Sequence, residues 1–294
     1  REQGAGDAHR DRARAGALML VLRDVGGESI AGSPVATPGG LVPAGMLPAG
    51  WQETPVGATL LVAHGSVLDE AAALIEAHGS LHRWAGRQPG AEAMQGRTTA
   101  WATTLPESGL PVVVRHSAHG GLLAPLTGDR FRRPRAPDEL RLSWTLRQVG
   151  VPTPRVLAYT LHPVWGGLFR RADVMTQRVV GARDLVAVLR TATDADAVAA
   201  VAATVETLLT ALRVTHARHP DLNLKNILIA PGDDGTPVAW VLDIDTLRFA
   251  DPEAGVRNRA RLVRSARKWA RASGAAASRA FSRFAAALAE RSAR

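Results

Sequence analysis

The stretch that most constrains this chain is His219-Pro220-Asp221-Leu222-Asn223-Leu224-Lys225-Asn226-Ile227-Leu228, followed shortly by Trp240-Val241-Leu242-Asp243-Ile244-Asp245. Between the two, Ile227-Leu228-Ile229 and Val238–Leu242 read as β-strands joined at the turn Gly232-Asp233-Asp234-Gly235. A hairpin returns the chain to its starting point, so Asn226 and Asp243 at its open end can face one volume together with Asp221. Oxygen donors of this kind suit Mg²⁺, which takes one or two protein ligands and completes its shell with phosphate oxygens and water. A carboxylate kept off the metal, as Asp221 would be, is free to accept a proton from an attacking hydroxyl. Turns favour Asp and Asn for local reasons too, and for a lone Asp-x4-Asn that bland reading would win. Three features favour chemistry instead: His219 two residues earlier, a strand on each side, and an apolar strand that ends in Asp243. Together they are the base-and-metal half of a phosphoryl-transfer site, where catalysis is mostly positioning and charge neutralisation.

The other half of such a site needs a cation on the phosphates and an acid to orient it. Arg115 ends the β-branched run Pro111-Val112-Val113-Val114, and a helix is predicted over Pro137–Val149. Proline starts that helix, Asp138 and Glu139 occupy its first turn, and Gly150 and Pro152 stop it. Glu139, Leu142 and Leu146 share a face, and a carboxylate on an apolar face requires a partner, for which Arg115 is the candidate. Arginine can grip phosphate and carboxylate bidentately, though its reach differs from that of the lysine in standard protein kinases. The competing readings are a strand-end arginine facing water and an acid complementing the helix dipole. Gly96, in the turn Gln95-Gly96-Arg97, is a further phosphate-side candidate, with one glycine where a full G-x-G-x-x-G has three.

Elsewhere, Leu60–Ala63 reads as a strand. A helix from Val67 to His78 is expected, capped by Ser66 with Asp69 three residues on, and ended by Gly79. Strands are expected around Val156–Tyr159 and Val174–Val180, then a long helix carrying Val198, Val201, Val205, Leu208 and Leu212 at a period of 3.6. Two helices close the chain. The class is therefore α+β, with strands and one helix first, mostly helices later, and no internal repeat. Residues 1–45, rich in Gly, Ala, Pro and Arg, read as a flexible extension.

The 294 residues, 46% apolar and 21% charged, belong to a globular chain. No uninterrupted apolar run approaches the ~20 residues of a membrane span, and the opening residues do not read as a secretory leader. The absence of cysteine excludes disulfides and thiolate metal sites and is compatible with the cytoplasm. A net charge of +9 favours anionic partners, and much of it lies between Arg257 and Arg271. That run is either a solvated helix face or a contact for an anionic membrane surface. With one Tyr and five Phe, stacking platforms for nucleic acid are scarce, and no nucleic-acid partner is expected.

At these residues the chain resembles the lipopolysaccharide kinase family, the 3-deoxy-D-manno-octulosonic acid (Kdo) kinases and core-heptose kinases. The matching pieces are Gln95-Gly96-Arg97, Val113-Val114-Arg115-His116 with Gly120-Gly121-Leu122, Asp138-Glu139-Leu140-Arg141-Leu142, Gly150-Val151-Pro152-Thr153-Pro154 and Arg171-Ala172-Asp173. HPDLNLKNIL, Asp243-Ile244-Asp245 and Arg261-Leu262-Val263-Arg264-Ser265 complete the match, which runs from about Leu60 to Lys268. The resemblance implies a two-lobed protein-kinase-like fold, with an N-lobe over 46–180 (antiparallel sheet plus one helix) and a mostly helical C-lobe over 181–294. It further implies ATP and Mg²⁺ as cofactors and a lipid-linked sugar as acceptor, either Kdo-lipid A or an inner-core heptose, handled in the cytoplasm or at the cytoplasmic face of the inner membrane. Position by position, it makes Asp221 the base, Asn226 and Asp243 the metal ligands, Arg115 a phosphate contact and Glu139 its partner. Departures are Asn223, where protein kinases place a lysine, Asp-Ile-Asp in place of Asp-Phe-Gly, and His216 where glycine is expected. An atypical protein kinase, another small-molecule phosphotransferase and a pseudokinase scaffold are the alternatives, separable by a panel of acceptors.

Overall fold

The computed structural model describes residues 46–94, 99–117, 131, 134–192 and 194–290. The expected extension over 1–45 and the Gly96 turn lie outside the described residues. Strands β1 (Trp51–Val56), β2 (Thr59–His64), β3 (Glu92–Met94), β4 (Ala100–Thr104), β5 (Pro111–His116), β6 (Val156–Val164) and β7 (Phe169–Gln177) form one sheet in the order β1-β2-β6-β7-β5-β4-β3. Every neighbouring pair in it is antiparallel.

The alternation of side chains along these strands decides what each face meets. Leu61, Ala63, Val112, Val114 and Met175 pack beneath helices α1 (Leu68–His78) and α2 (Leu81–Ala85), with Trp84 fully enclosed. Val62, Tyr159 and Val174 point the other way, towards Ala136 and Leu140 of α3 (Ala136–Gln148). A register shift between Val156 and Ala158 lets the consecutive residues Leu157 and Ala158 both join the α1–α2 side, as a bulge does. The expected cap at Ser66 does not form. The Ser66 hydroxyl pairs with His64 Nδ1 at 2.8 Å, and α1 starts without a side-chain cap. Gly79 does end α1, in the left-handed region at φ 82°.

The rest of the described chain is mostly helical: β8 (Arg183–Asp184), α4 (Leu185–Thr191), α5 (Ala195–Val214), the hairpin β9 (Ile227–Pro231) and β10 (Pro237–Val241), α6 (Ala254–Ala272) and α7 (Ala275–Glu290). β8 adds a short third strand to β9. Val198, Val205, Leu208 and Leu212 of α5 are buried as their spacing predicted, with Ala202 and Leu209 alongside and Val201 half-buried at the edge. α5 is long and apolar enough to cross a membrane, with a mean hydropathy of 1.6, but its apolar face is spent against α7, α6 and β10. Phe281, Phe284 and Leu288 of α7 close that core.

Two helices end in the same backbone motif. After α3, the Val151 N–H reaches back to Leu146 O at 2.8 Å and Gly150 N–H to Arg147 O at 3.1 Å, with Gly150 at φ 77°. After α5, Ala217 N–H bonds Leu212 O at 2.8 Å and His216 N–H bonds Arg213 O at 3.0 Å. His216 stands at φ 51°, so the position where glycine was expected does have glycine's conformation, and histidine takes it at a cost of about 1–2 kcal/mol.

Leu142 and Leu146 belong to the helical core while Ala136 and Leu140 belong to the sheet, so α3 is shared by both halves of the molecule. The segment after it runs along β10: Val241 N–H donates to Pro152 O, the Thr153 hydroxyl donates to Val241 O, and the Ser143 hydroxyl donates to Pro154 O. These bonds lock α3 to β10, the strand that leads into Asp243.

Candidate active site

His219 organises the loop. Its ring is fully buried; Nε2 donates to Leu242 O at 2.9 Å and Nδ1 accepts from Asp221 N–H at 3.2 Å. One donor and one acceptor fix the neutral Nε2–H tautomer, and the ring ties the Asp221 loop to the residue before Asp243. Asn258 of α6, also fully buried, braces His219 from behind, accepting from its backbone N–H at 2.9 Å and donating to Ala217 O at 2.8 Å. Asn258 went unnoticed in the sequence, where an Asn amid arginines gives no sign of burial.

The two asparagines of the loop converge on one acceptor. Asn223 Nδ2 and Asn226 Nδ2 donate to Asp221 O at 2.9 and 3.0 Å. Asn223 also takes Lys225 N–H on its Oδ1, capping the short turn Leu224–Asn226. The hairpin register sets Val241 opposite Ile227, and Leu242 N–H bonds Asn226 O at 2.9 Å, so Asp221, Asn226 and Asp243 are gathered at the open end of the hairpin.

Asp243 sits at φ 57°, a left-handed conformation that a non-glycine residue holds only when its surroundings impose it. Its carboxylate is exposed. Asn226, with its amide N–H turned to Asp221 O, keeps Oδ1 for a ligand. One carboxylate oxygen and one amide oxygen are a hard donor pair that fits Mg²⁺ when phosphate and water complete the shell. Among the described residues no group of three or more His, Asp or Glu forms a fuller metal site.

Arg115 and Glu139 are paired across the sheet–helix interface. The β5 alternation explains it, because Val112 and Val114 go under α1 and α2 and Arg115 must project towards α3. Burial opposes the charge on Arg115, but Glu139, then Asp245 and Asp243, outweigh it and raise its pKa above the ordinary arginine value. The same field places the Asp243-Ile244-Asp245 acids near Arg115. Arg135 at the start of α3 holds Asp245 at 2.9 Å. Strand-end solvation and helix-dipole complementation, the competing readings of this pair, both give way to the contact. Gly96 lies outside the described residues.

Arg261 is a site residue that the motif reading quoted without a role. Its Nη2 lies 3.3 Å from Asp221 Oδ1, while its Nε is buried with no hydrogen-bond partner among the described residues. Asp221, its side chain half exposed, opens onto a cleft of about 600 Å³ whose walls include Asn223, Lys225, Arg261, Arg264, Lys268 and Trp269. The basic run of α6 is not one solvated face. Arg257 pairs with Asp251 and Glu253, and Arg259 is inserted between helices, holding both oxygens of Glu206 at 2.6 and 2.5 Å.

A base candidate on a pinned loop, an oxygen pair beside it and an arginine–carboxylate pair in the field of Asp243 and Asp245 make up a candidate phosphotransferase centre. The chain belongs to the lipopolysaccharide kinase (Kdo/WaaP) family, whose model matches residues 82–281. It is 30% identical over 178 residues to a 3-deoxy-D-manno-octulosonic acid kinase of Vibrio vulnificus, covering 58% of this chain and 69% of that one. With the enzyme of the same name from Photobacterium profundum it shares 34% over 180 residues, 58% of this chain and 70% of the other. Among solved structures, WaaP in complex with acyl carrier protein shows a distant likeness, with a TM-score of 0.43 and 14% identity over 69% of this chain and 79% of that one.

Proposed function

We propose that this protein is an ATP-dependent kinase that phosphorylates a sugar hydroxyl, of Kdo or heptose, on a lipid A or inner-core precursor of lipopolysaccharide. The observation that carries the reading is the placement of Asp221, with its backbone pinned by His219, Asn223 and Asn226 and its carboxylate left open to a cleft. Asp221 takes the proton of the acceptor hydroxyl as that oxygen bonds to the γ-phosphorus and the β–γ bridging oxygen departs with ADP. Arg115, oriented by Glu139, meets the phosphates. Asn226 and Asp243 would hold Mg²⁺, which neutralises phosphate charge when bound. Arg261 lies against the Asp221 carboxylate and aims it.

The acceptor is lipid-linked and the donor is ATP, so the working place is the cytoplasmic face of the inner membrane. The exposed cations Arg267 and Arg271 would favour an anionic bilayer nearby, each by about 1 kcal/mol if well placed. In lobe terms, residues 46–180 carry Arg115 and Glu139, and 181–294 carry Asp221, Asn226 and Asp243.

The test is ATP consumption by the purified chain with Kdo-lipid A, heptosylated core or a generic protein substrate. Sugar-dependent turnover supports the reading. Phosphorylation of the protein substrate alone would replace it with a protein kinase, and nucleotide binding with no turnover on any acceptor would leave a pseudokinase.

A further inference from the structure

The cleft beside Asp221 is unevenly charged. Lys225, Arg261, Arg264 and Lys268 line it against one carboxylate, Asp221, and Arg261 already answers that one. Arg261, Arg264 and Lys268 stand at i, i+3 and i+7 on α6, so one helix face brings all three to the cleft. Their neighbours Arg257 and Arg259 are paired with acids, yet among the described residues no carboxylate partners Lys225, Arg264 or Lys268. Clustered like charges repel, and cations lining one cleft favour an anion between them. Lys225 Nζ lies over the Trp269 ring at 5.6 Å and the Arg190 guanidinium over the same ring at 5.1 Å, so the ring steadies Lys225 at the cleft.

We infer that Lys225, Arg264 and Lys268 form an anion subsite for the acceptor: they bind a carboxylate or phosphate carried on, or next to, the sugar whose hydroxyl faces Asp221. Arg261, on Asp221 at one end and beside Arg264 and Lys268 in the cleft, is a positioning residue between the two. This rests on the kinase reading above and adds to it the residues that select the acceptor. It also assigns this part of the basic helix to substrate in preference to bilayer.

The experiment uses the full chain and Kdo-lipid A in neutral detergent micelles, with binding followed by calorimetry and turnover by ADP release. Arg264→Glu and the milder Lys268→Ala and Lys225→Ala should raise the acceptor Kd and KM about tenfold or more, as loss of a charge-assisted contact does, with the nucleotide Kd unchanged. Salt should weaken acceptor binding in the parent protein and do so less in Arg264→Glu. An acceptor whose carboxylate is methyl-esterified should lose affinity for the parent and be nearly blind to the variant at the cation that met it. If the parent binds the micellar acceptor and these variants bind it equally well, the subsite is wrong although the kinase reading stands. Variant-sensitive binding without turnover would keep the subsite and remove the kinase reading. A third arm uses phosphatidylglycerol vesicles without acceptor. Loss of vesicle binding in the variants with acceptor KM intact would give these cations to the membrane and overturn the inference. Circular dichroism melting curves for each variant exclude misfolding.

Discussion

Asn258 lies at 0% exposure with both ends of its amide in use, accepting from His219 N–H and donating to Ala217 O. Truncation to alanine leaves one donor and one acceptor without partners in the interior, each costing ~1–3 kcal/mol. The vacated space lies between a donor and an acceptor, so a water molecule that bridges them would recover part of the loss. The expected penalty for Asn258→Ala is therefore at the low end, about 2–3 kcal/mol, or about 4–12 °C in Tm for a chain of this size. Asn258→Leu fills the same volume, excludes the water and leaves both groups stranded, so it should cost more, about 4 kcal/mol, despite being the more apolar change. Because His219 aligns Asp221, turnover should fall with stability in both variants while the nucleotide Kd holds. Thermal and urea denaturation, read beside ADP release, settle the matter. If the leucine variant proved as stable as the alanine variant, or if either melted within 1 °C of the parent (about the error of such a measurement), the reasoning from orphaned polar groups would be refuted.

Asp221→Ala should lower kcat by roughly 10²–10⁴ with nucleotide affinity nearly intact, by stopped-assay turnover and calorimetry. Asp243→Ala should weaken Mg²⁺-dependent nucleotide binding in titrations with and without the metal, and equal affinity in the two would remove its ligand role. Arg115→Ala orphans Glu139, buried to 8% exposure, and should cost about 2 kcal/mol by denaturation, below the ~3–5 of a fully buried pair because Arg115 is partly exposed. Arg115→Met with Glu139→Leu should restore that stability without restoring turnover, which separates the structural from the functional worth of the pair. Arg259→Ala, which strands Glu206 between α5 and α6, should cost about 3 kcal/mol, at the low end because the pair is not fully buried, and Arg259→Met with Glu206→Leu should be close to neutral.

The site's local grammar was legible because it is written in short range. HPDLNLKNIL, a five-residue strand on each side of a glycine turn and a terminal Asp are neighbours in sequence, and a hairpin needs only local hydrogen bonds to bring their ends together. The helix stop at Gly150 was readable for the same reason, since glycine just past a helix end takes the left-handed backbone; at His216 only the family resemblance suggested glycine, and the structure supplied the conformation. Ser66 was misread because its competitor for the hydroxyl, His64, is equally close and the sequence does not rank the two.

Tertiary packing settled what lies far apart along the chain. Which face of β5 carries Arg115 depends on which sheet face α1 and α2 cover, and only the seven-strand order fixes that. Asn258 under His219, Arg261 on Asp221, and the division of α6 into paired and unpaired cations all arise from residues about 40 to 53 positions apart. Composition records their charges and periodicity their face. Whether an arginine is spent on a half-buried glutamate or left beside the candidate base is set by the neighbour that the fold supplies.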